Sequence, residues 1–456
     1  MSNSEIPYKN NLLQGNVTKN IIKLALPILT AHVFANAYYI IDMIFVGRLG
    51  PTALAAVSYG GMLMSLTWMI IVGVSIATSS MIARSIGSGD SGLVERVIKN
   101  SLLLTFAVTV LLIIFGYFGV PYFLKLLGSS GEELRLGTTY ARIVFCGAGG
   151  LIFMFIINSM FRGSGEVKIP MITLGISSIL NIILDPLLIF GLGPFPELGI
   201  KGAAIATVIG QGIGSFINIF ILIKGYSKVK LPDFNFKPNF HTLKNIISIA
   251  TPGSLQNLVY SISGLTVMRF VSAYGTEAVA AYGIGLRLDI MMMLPGWALG
   301  ASVATILGQN LGAGNPKRAE RTAWHGSGLY FILLLFICTL LWIDPEKAIS
   351  IFNNDPKVVS IGSEYIRIMS AGYLFLSISL ILTVAMNGAG YTFVPMIIVA
   401  VSHLIFRIPA AYILSNPFNI MTGGIWIALS GTFILQGIIS VVWFSKGRWK
   451  HKKISG

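Results

Sequence analysis

Residues 49–83 read LGPTALAAVSYGGMLMSLTWMIIVGVSIATSSMIA, with no charged side chain between Arg48 and Arg84. A helix needs about 20 apolar residues to cross a bilayer, so this stretch is long enough to span one with tilt. Such runs recur along the 456 residues, of which 54% are hydrophobic and 11% are charged. Soluble domains are about a quarter charged. The composition argues against a water-soluble enzyme and predicts a polytopic helical membrane protein.

The length and spacing of the apolar runs predict an all-α membrane protein with twelve transmembrane helices. The expected spans are Ile21–Val46, Leu54–Ala83, Val97–Val120, Tyr140–Met160, Pro170–Gly191, Ala203–Ile223, Leu243–Val271, Ala278–Leu307, Ala323–Ile343, Ile366–Met386, Phe393–Leu414 and Gly424–Phe444. The first run is too long for a signal-peptide core and is interpreted as an anchored helix. Cys146 and Cys338 have no spacing that indicates a disulfide or a metal motif.

The formal net charge of +15 is scattered through short loops, which argues against a nucleic-acid partner. With the N-terminus inside, the inner loops carry 21 Lys and Arg residues and the outer loops carry 9. Positive charge concentrates on the cytoplasmic side of membrane proteins. This count predicts a multi-pass protein of the cell (plasma) membrane with both termini in the cytoplasm.

An internal repeat with a constant offset of 225 residues joins the two halves of the chain without a gap. The matching positions include Pro27 with Pro252, Gly50 with Gly275, Gly87 and Gly89 with Gly312 and Gly314, Tyr140 with Tyr365, Gly163 and Gly165 with Gly388 and Gly390, and Gln211 with Gln436. Apolar similarity that arose by chance would not keep one offset across six helices.

The repeat predicts an N-terminal six-helix lobe (1–223), a cytoplasmic linker (224–242) and a C-terminal six-helix lobe (243–456). An even number of helices in each lobe makes the two repeats parallel, as in transporters whose halves are related by an axis along the membrane normal. A central cleft and alternating access would follow. A duplication that serves only a structural scaffold is the alternative interpretation.

Three carboxylates lie within predicted spans, where a charged group is rare and usually functional. They are Asp42, Asp185 and Asp289. The repeat partners of Asp42 and Asp185 are Val267 and Ala410, so the second half folds without these two acids. This difference assigns the predicted ion site to the N-terminal half.

Neighbouring residue types fit ion handling. Tyr38 and Tyr39 share the helix face of Asp42, and Asn181 lies one turn before Asp185. Pro186 lacks an N–H and frees a backbone carbonyl beside these groups. Such a set of oxygens suits Na⁺ at Asp42, Asn181 and Asp185, and the same carboxyls can bind a proton because burial disfavours the charged form.

Each of these predictions has a structural alternative. Asp42 lies four residues from the end of its run and would be solvated at the outer interface; Asp289 would be a paired charge near Arg287; and Asn158 would form an interhelical hydrogen bond. A lining for amphipathic substrates is predicted more weakly. Its candidate residues are Tyr39, Gln256, Tyr260, Arg287, Asp289 and Met292.

The chain resembles the multidrug and toxic compound extrusion (MATE) family over nearly its full length. The resemblance rests on Pro27 with Asp42, on the Gly-Pro-Thr-Ala-Leu-Ala-Ala turn at 50–56, on the glycine loops at 163–165 and 388–390, and on Asp185-Pro186. It is closest to the DinF-like branch, whose essential carboxylates lie in the N-terminal lobe.

The resemblance implies an antiporter that exports amphipathic, often cationic compounds in exchange for H⁺ or Na⁺. The cation-coupling residues that it implies are Asp42, Asp185, Asn181, Tyr38, Tyr140 and Asn158, with Pro27 as a hinge. Ala203 departs from the family pattern, because related members carry a threonine hydroxyl there.

A second function class stays open: a flippase for lipids or lipid-linked oligosaccharides of the same superfamily, with Arg287 and Arg407 as the start of a cationic cavity. No catalytic constellation or nucleotide-binding motif is present in the sequence. We therefore expect a monomeric transporter that is not an enzyme, has no cofactor, is surrounded by lipid and takes small molecules as its substrates.

Overall fold

The computed structural model describes residues 11–231, 237–415 and 420–452. Within them the secondary structure is helical. The α-helices are α1 (Val17–Gly47), α2 (Pro51–Ser88), α3 (Ser91–Ile114), α4 (Val120–Leu126), α5 (Gly131–Cys146), α6 (Ala148–Ser164), α7 (Lys168–Ile189), α8 (Ile200–Lys224), α9 (Phe240–Ser272), α10 (Thr276–Gly312), α11 (Pro316–Ile343), α12 (Pro345–Ser350), α13 (Pro356–Gly388), α14 (Phe393–Ala400), α15 (Arg407–Ser415) and α16 (Met421–Ser445). π-Helical turns join α3 to α4 (Phe115–Gly119) and α14 to α15 (Val401–Phe406).

These helices confirm the predicted fold class. Ten described helices are long and apolar enough to cross a membrane, or up to eleven if the bent pair α5 and α6 counts as one span. Helix α9 occupies the predicted seventh span and has 33 residues, which corresponds to about 50 Å. It carries Lys244 and Arg269 and is not among those ten. Of the predicted linker 224–242, residues 232–236 lie outside the described residues.

The fourth predicted span, Tyr140–Met160, is not one straight helix. Helices α5 and α6 meet at Gly147 with a bend of 46°. Gly147, Gly149 and Gly150 follow one another closely, and glycine is about 1 kcal/mol worse than alanine inside a helix. The break therefore falls where the helix is intrinsically weakest.

The repeat is visible in the backbone as well as in the sequence. Gly50 precedes α2 with φ 102° and ψ 170°, and Gly275 precedes α10 with φ 96° and ψ 178°. Glycine adopts such positive φ angles without the steric penalty of a side chain. Helices α2 and α10 thus each follow a glycine with the same backbone conformation.

By its internal contacts the chain divides into two compact units. The first unit is Leu26–Thr251, and the second is residues 11–25 with residues 252–452, counted over the described part of the chain. Residues 11–25 belong to the second unit. Hydrogen bonds connect them to it, since Arg318 Nη2 donates to the carbonyls of Gln14 and Gly15 at 2.8 and 2.9 Å. Helices α1 and α9 each pass from one unit to the other within two residues of a proline, at Pro27 and Pro252.

Helices α7 and α8 pack with almost no space between their backbones at Gly202. A Cβ atom there would lie 2.3 Å from the carbonyl oxygen of Leu188. Since α7 also carries Asp185, this close contact positions one of the predicted functional acids.

We expect Gly202→Ala to lower the free energy of unfolding by about 1–3 kcal/mol, because the added methyl group forces α7 and α8 apart. Gly212→Ala on the same helix is the matched control, since a Cβ there meets no atom within 4 Å. Melting temperatures of the detergent-solubilised variants test this. Equal melting temperatures for the two variants would contradict the close packing.

Candidate functional site

Two buried carboxyl groups come together inside the first unit. Asp42 on α1 is 7% exposed and Asp185 on α7 is fully buried. Their side chains are close enough to form a hydrogen bond with each other. Two carboxylate oxygens cannot bond unless one of them carries a proton, since an ionised carboxylate is only an acceptor. The geometry therefore suits a pair of acids that share one proton.

Asn181 connects the acid pair to helix α8. With the amide oriented to satisfy both of its polar atoms, Nδ2 donates to Asp185 Oδ2 at 3.0 Å and Oδ1 accepts from the backbone N–H of Thr207 at 3.2 Å. The amide nitrogen, rather than the oxygen, thus faces the carboxyl group. Asp42 Oδ1 is buried and accepts no hydrogen bond from a donor in the described part of the chain.

Two tyrosines complete this group. Tyr38, one turn before Asp42 on α1, lies beside Gln211 of α8, and Tyr140 of α5 is 9% exposed. Both phenols lie near enough to the two acids to interact with them electrostatically. Thr207 and Gln211 were missed in the sequence analysis, although the match of Gln211 with Gln436 was a signal that could have found one of them.

Asn158 belongs to a second polar group. Its Oδ1 accepts from Asn218 Nδ2 at 3.0 Å and from Thr173 Oγ1 at 3.3 Å, so it links α6, α8 and α7. No described hydrogen bond joins Asn158 to Asp42 or Asp185. The structure therefore brings together five of the six residues predicted for cation coupling and places Asn158 where the structural alternative expected it.

The predicted lining residues are dispersed. Tyr39 and Arg287 are exposed, and Tyr260 is 40% exposed. Gln256 is buried and donates to Asn387 Oδ1 at 3.3 Å. Met292 is buried too, and its backbone carbonyl accepts from Tyr330.

Asp289 of α10 accepts hydrogen bonds from the hydroxyl groups of two tyrosines on α13, Tyr365 and Tyr373. Arg287, which the structural alternative paired with it, forms no ion pair with it in the described part of the chain. The same residues contain no cluster of three or more His, Cys, Asp or Glu side chains suited to a metal ion.

A helical membrane protein with an internal repeat and a buried acid pair has the features of a secondary transporter. The family model MatE matches the chain twice, over residues 27–187 and 252–413, with starting points that differ by the offset of the repeat. The chain belongs to the MatE family of transporters, as the resemblance predicted.

Individual relatives agree with this assignment. The chain is 26% identical over 450 residues to "Probable multidrug resistance protein NorM" of Thermotoga maritima, covering 98% of this chain and 97% of the relative. It is 30% identical over 434 residues to the "FAD transporter" of Shewanella oneidensis, covering 94% and 95%. The fold matches "Crystal structure of MATE in the bent conformation" with a TM-score of 0.90, 24% identity and 98% coverage of each chain.

The two buried asparagines should respond differently to truncation. Asn158→Ala is expected to remove about 1 kcal/mol of stability, because it breaks hydrogen bonds between helices, and to leave the transport rate near that of the wild type. Asn181→Ala removes the donor that faces Asp185 and is expected to slow transport several-fold. Melting temperatures and vesicle transport rates measured on both variants decide this. Loss of transport in Asn158→Ala at unchanged stability would contradict the division into two groups.

Proposed function

We propose that this protein is a secondary-active multidrug efflux antiporter that exports amphipathic, often cationic compounds in exchange for H⁺ or Na⁺ by rocker-type alternating access. The observation that carries the proposal is the pair Asp42 and Asp185, buried within hydrogen-bond reach of each other in the first unit. Relatives over nearly the whole chain are named multidrug resistance or multidrug export proteins.

The chemistry of the pair explains the exchange. With one shared proton the two acids carry a single negative charge; losing that proton leaves two negative charges in a poorly hydrated site, which is unfavourable. A proton that enters from one side relieves this repulsion. The pair thus favours different arrangements of its surroundings when loaded and when empty, and a gradient across the membrane drives the cycle.

Protons fit this site better than Na⁺. A Na⁺ site would use the amide oxygen of Asn181, but that oxygen accepts from the Thr207 N–H, and the amide nitrogen faces Asp185. Ala203 offers no hydroxyl group at the position where related members have threonine. Tyr38 and Tyr140 remain available to donate hydrogen bonds when the acids are ionised.

Membrane placement follows from the same proposal. Both termini are cytoplasmic in the plasma membrane, as the loop charges favour, and the protein works as a monomer. Tyr39, Tyr260, Arg287 and Asp289 remain candidates for the substrate lining, because each of them keeps some exposed surface. Pro27 is the proposed hinge, since α1 changes unit beside it.

A second candidate substrate class is supported by one relative. The 30% identical protein of Shewanella oneidensis is named a FAD transporter, and FAD is an aromatic compound that carries a diphosphate. Export of an anionic ring compound uses the same ion-coupling pair. A lipid or lipid-linked oligosaccharide flippase, the other alternative, shares the need for an anion-binding group, and a scramblase assay with labelled lipid distinguishes it.

The acid pair is tested in inverted membrane vesicles with a fluorescent organic cation in the outer medium, so that export carries the dye into the vesicles. We expect Asp42→Asn and Asp185→Asn each to abolish gradient-driven dye movement, because neither variant can share and release a proton in the same way. Glu132→Gln is the matched control, since Glu132 is an exposed acid that pairs with Arg135 on the surface. Imposing H⁺ and Na⁺ gradients separately identifies the coupling ion. Wild-type transport by both aspartate variants in folded form would exclude this mechanism.

The hinge is tested by comparing the two repeat-related prolines. Pro27→Ala restores a backbone N–H inside α1 and should stiffen it, so the transport rate should fall several-fold while the protein stays folded. Pro252→Ala makes the same change in α9, which carries no acid of the pair, and should have the smaller effect. Equal effects of the two substitutions would remove the special role of Pro27.

A further inference from the structure

The second unit contains a polar group at the repeat position of the acid pair. Adding 225 maps three residues around the acids onto residues of the same type, namely Tyr140 onto Tyr365, Thr207 onto Thr432 and Gln211 onto Gln436. The acids themselves are replaced by Val267 and Ala410. The second unit thus keeps these three residues and lacks counterparts of Asp42 and Asp185.

A buried arginine, Arg407, lies among these matching residues of the second unit. In the first unit Thr207 contacts Asn181; in the second, Thr432 Oγ1 accepts from Arg407 Nε at 3.2 Å. Gln211 lies beside Tyr38, whereas Gln436 Oε1 lies 3.0 Å from Nε2 of His403, itself a buried side chain. The same threonine and glutamine positions therefore hold basic side chains in the second unit.

A π-helical turn explains how Arg407 reaches this position. The strict repeat partner of Asn181 is Phe406, one residue earlier. Residues Val401–Phe406 form a π-turn, whereas α7 is α-helical throughout. A π-turn takes one extra residue and so rotates the following residues around the helix. As a result Phe406 is 37% exposed, and Arg407 is 7% exposed.

The guanidinium group is incompletely satisfied. Nη1 lies 3.4 Å from Ser263 Oγ, and Cζ lies 5.4 Å from the ring centre of Phe433. Nη2 is buried and has no hydrogen-bond partner in the described part of the chain. Arg407 also makes no ion pair there within 4.0 Å.

Asp289 is the carboxyl group that interacts electrostatically with Arg407, but its oxygens accept hydrogen bonds from the hydroxyl groups of Tyr365 and Tyr373. A buried cation without a bonded anion is expensive to keep in a membrane protein, and such groups usually bind a ligand. Tyr260, which is 40% exposed and meets the His403 ring edge-on at 4.7 Å, offers an aromatic surface beside the basic group.

We propose that the second unit holds an anion site, in which Arg407 binds the phosphate or carboxylate group of an amphipathic ring compound or of a lipid, and Tyr260 packs against the adjoining apolar part. This inference rests on the proposed export function and narrows its substrate class. The first unit handles the coupling cation with two acids, and the second unit recognises negative charge with an arginine. The negative charge of Asp289, which acts on Arg407 without forming an ion pair, opposes the binding of an anion there.

The test uses flavin mononucleotide and riboflavin, which share a fluorescent ring and differ by one phosphate group. Binding is measured by fluorescence anisotropy on the full chain in a neutral detergent. Wild type should bind flavin mononucleotide at least about tenfold more tightly than riboflavin, as expected for a charge-assisted bond to a phosphate. Arg407→Gln should abolish this difference, and Asp289→Asn should increase the affinity for flavin mononucleotide several-fold. Arg367→Gln, which removes an exposed arginine paired with Glu346 on the surface, should leave both affinities unchanged.

Further variants separate ligand binding from a structural role. If Arg407 only balances the charge of Asp289, the double variant Arg407→Gln with Asp289→Asn should bind like wild type, and that result would overturn the proposal. We expect it to fold and to show no preference for phosphate. If Arg407→Gln fails to fold, Arg407→Lys replaces it in the test. This variant keeps the positive charge, and we expect it to retain part of the preference for flavin mononucleotide.

Added phosphatidylglycerol distinguishes the two sources of the anion. Displacement of flavin mononucleotide by this lipid, but not by phosphatidylcholine, would support the site with a lipid headgroup as its occupant; an unchanged affinity would support a soluble compound. Equal binding of flavin mononucleotide and riboflavin by wild type would refute the site. Binding needs no gradient, so the flavin measurement is independent of dye transport by the acid pair. Dye transport without a preference for flavin mononucleotide over riboflavin would overturn the anion site alone. A preference for flavin mononucleotide without gradient-driven dye transport would overturn the antiport proposal alone.

Discussion

The contact between the carboxyl groups of Asp42 and Asp185 is the constraint on which the account of function depends. Both side chains are buried among helices of the first unit, and their oxygens are within hydrogen-bond reach of each other. Two negative charges at that distance in a poorly hydrated site repel strongly, whereas one shared proton turns repulsion into attraction. The gain or loss of a proton by this pair therefore changes the interaction between α1 and α7.

The rest of the first unit supports this contact. Gly202 lets α8 approach the backbone of α7, and Asn181 spans the two helices by bonding Asp185 on one side and the Thr207 backbone on the other. Tyr38 lies beside Gln211. Helix α1, which carries Asp42, continues across the boundary of the two units beside Pro27, so a change at the acids acts on a helix that belongs to both.

Much of this arrangement could be predicted from the sequence, because repeats and intramembrane charges leave strong signals. The pairing of Asp42 with Asp185 follows from their rarity and from their absence at Val267 and Ala410. Asn158 could not be assigned in the same way, since a buried asparagine serves packing and ion binding equally well, and only its contacts with Asn218 and Thr173 separate the two. The bend at Gly147 and the burial of Arg407 could not be predicted from the sequence either, because helix breaks and π-turns depend on tertiary packing.

Infrared difference spectroscopy of the carboxylic acid C=O stretch tests the shared proton most directly. At neutral pH the account predicts one protonated carboxyl signal that disappears on deprotonation at high pH and that is altered by Asp42→Asn as well as by Asp185→Asn. Sensitivity to both substitutions is the essential result, because a proton on one isolated acid would respond to only one of them. A spectrum in which both carboxyls are ionised at neutral pH, or in which the two substitutions act independently, would contradict the account.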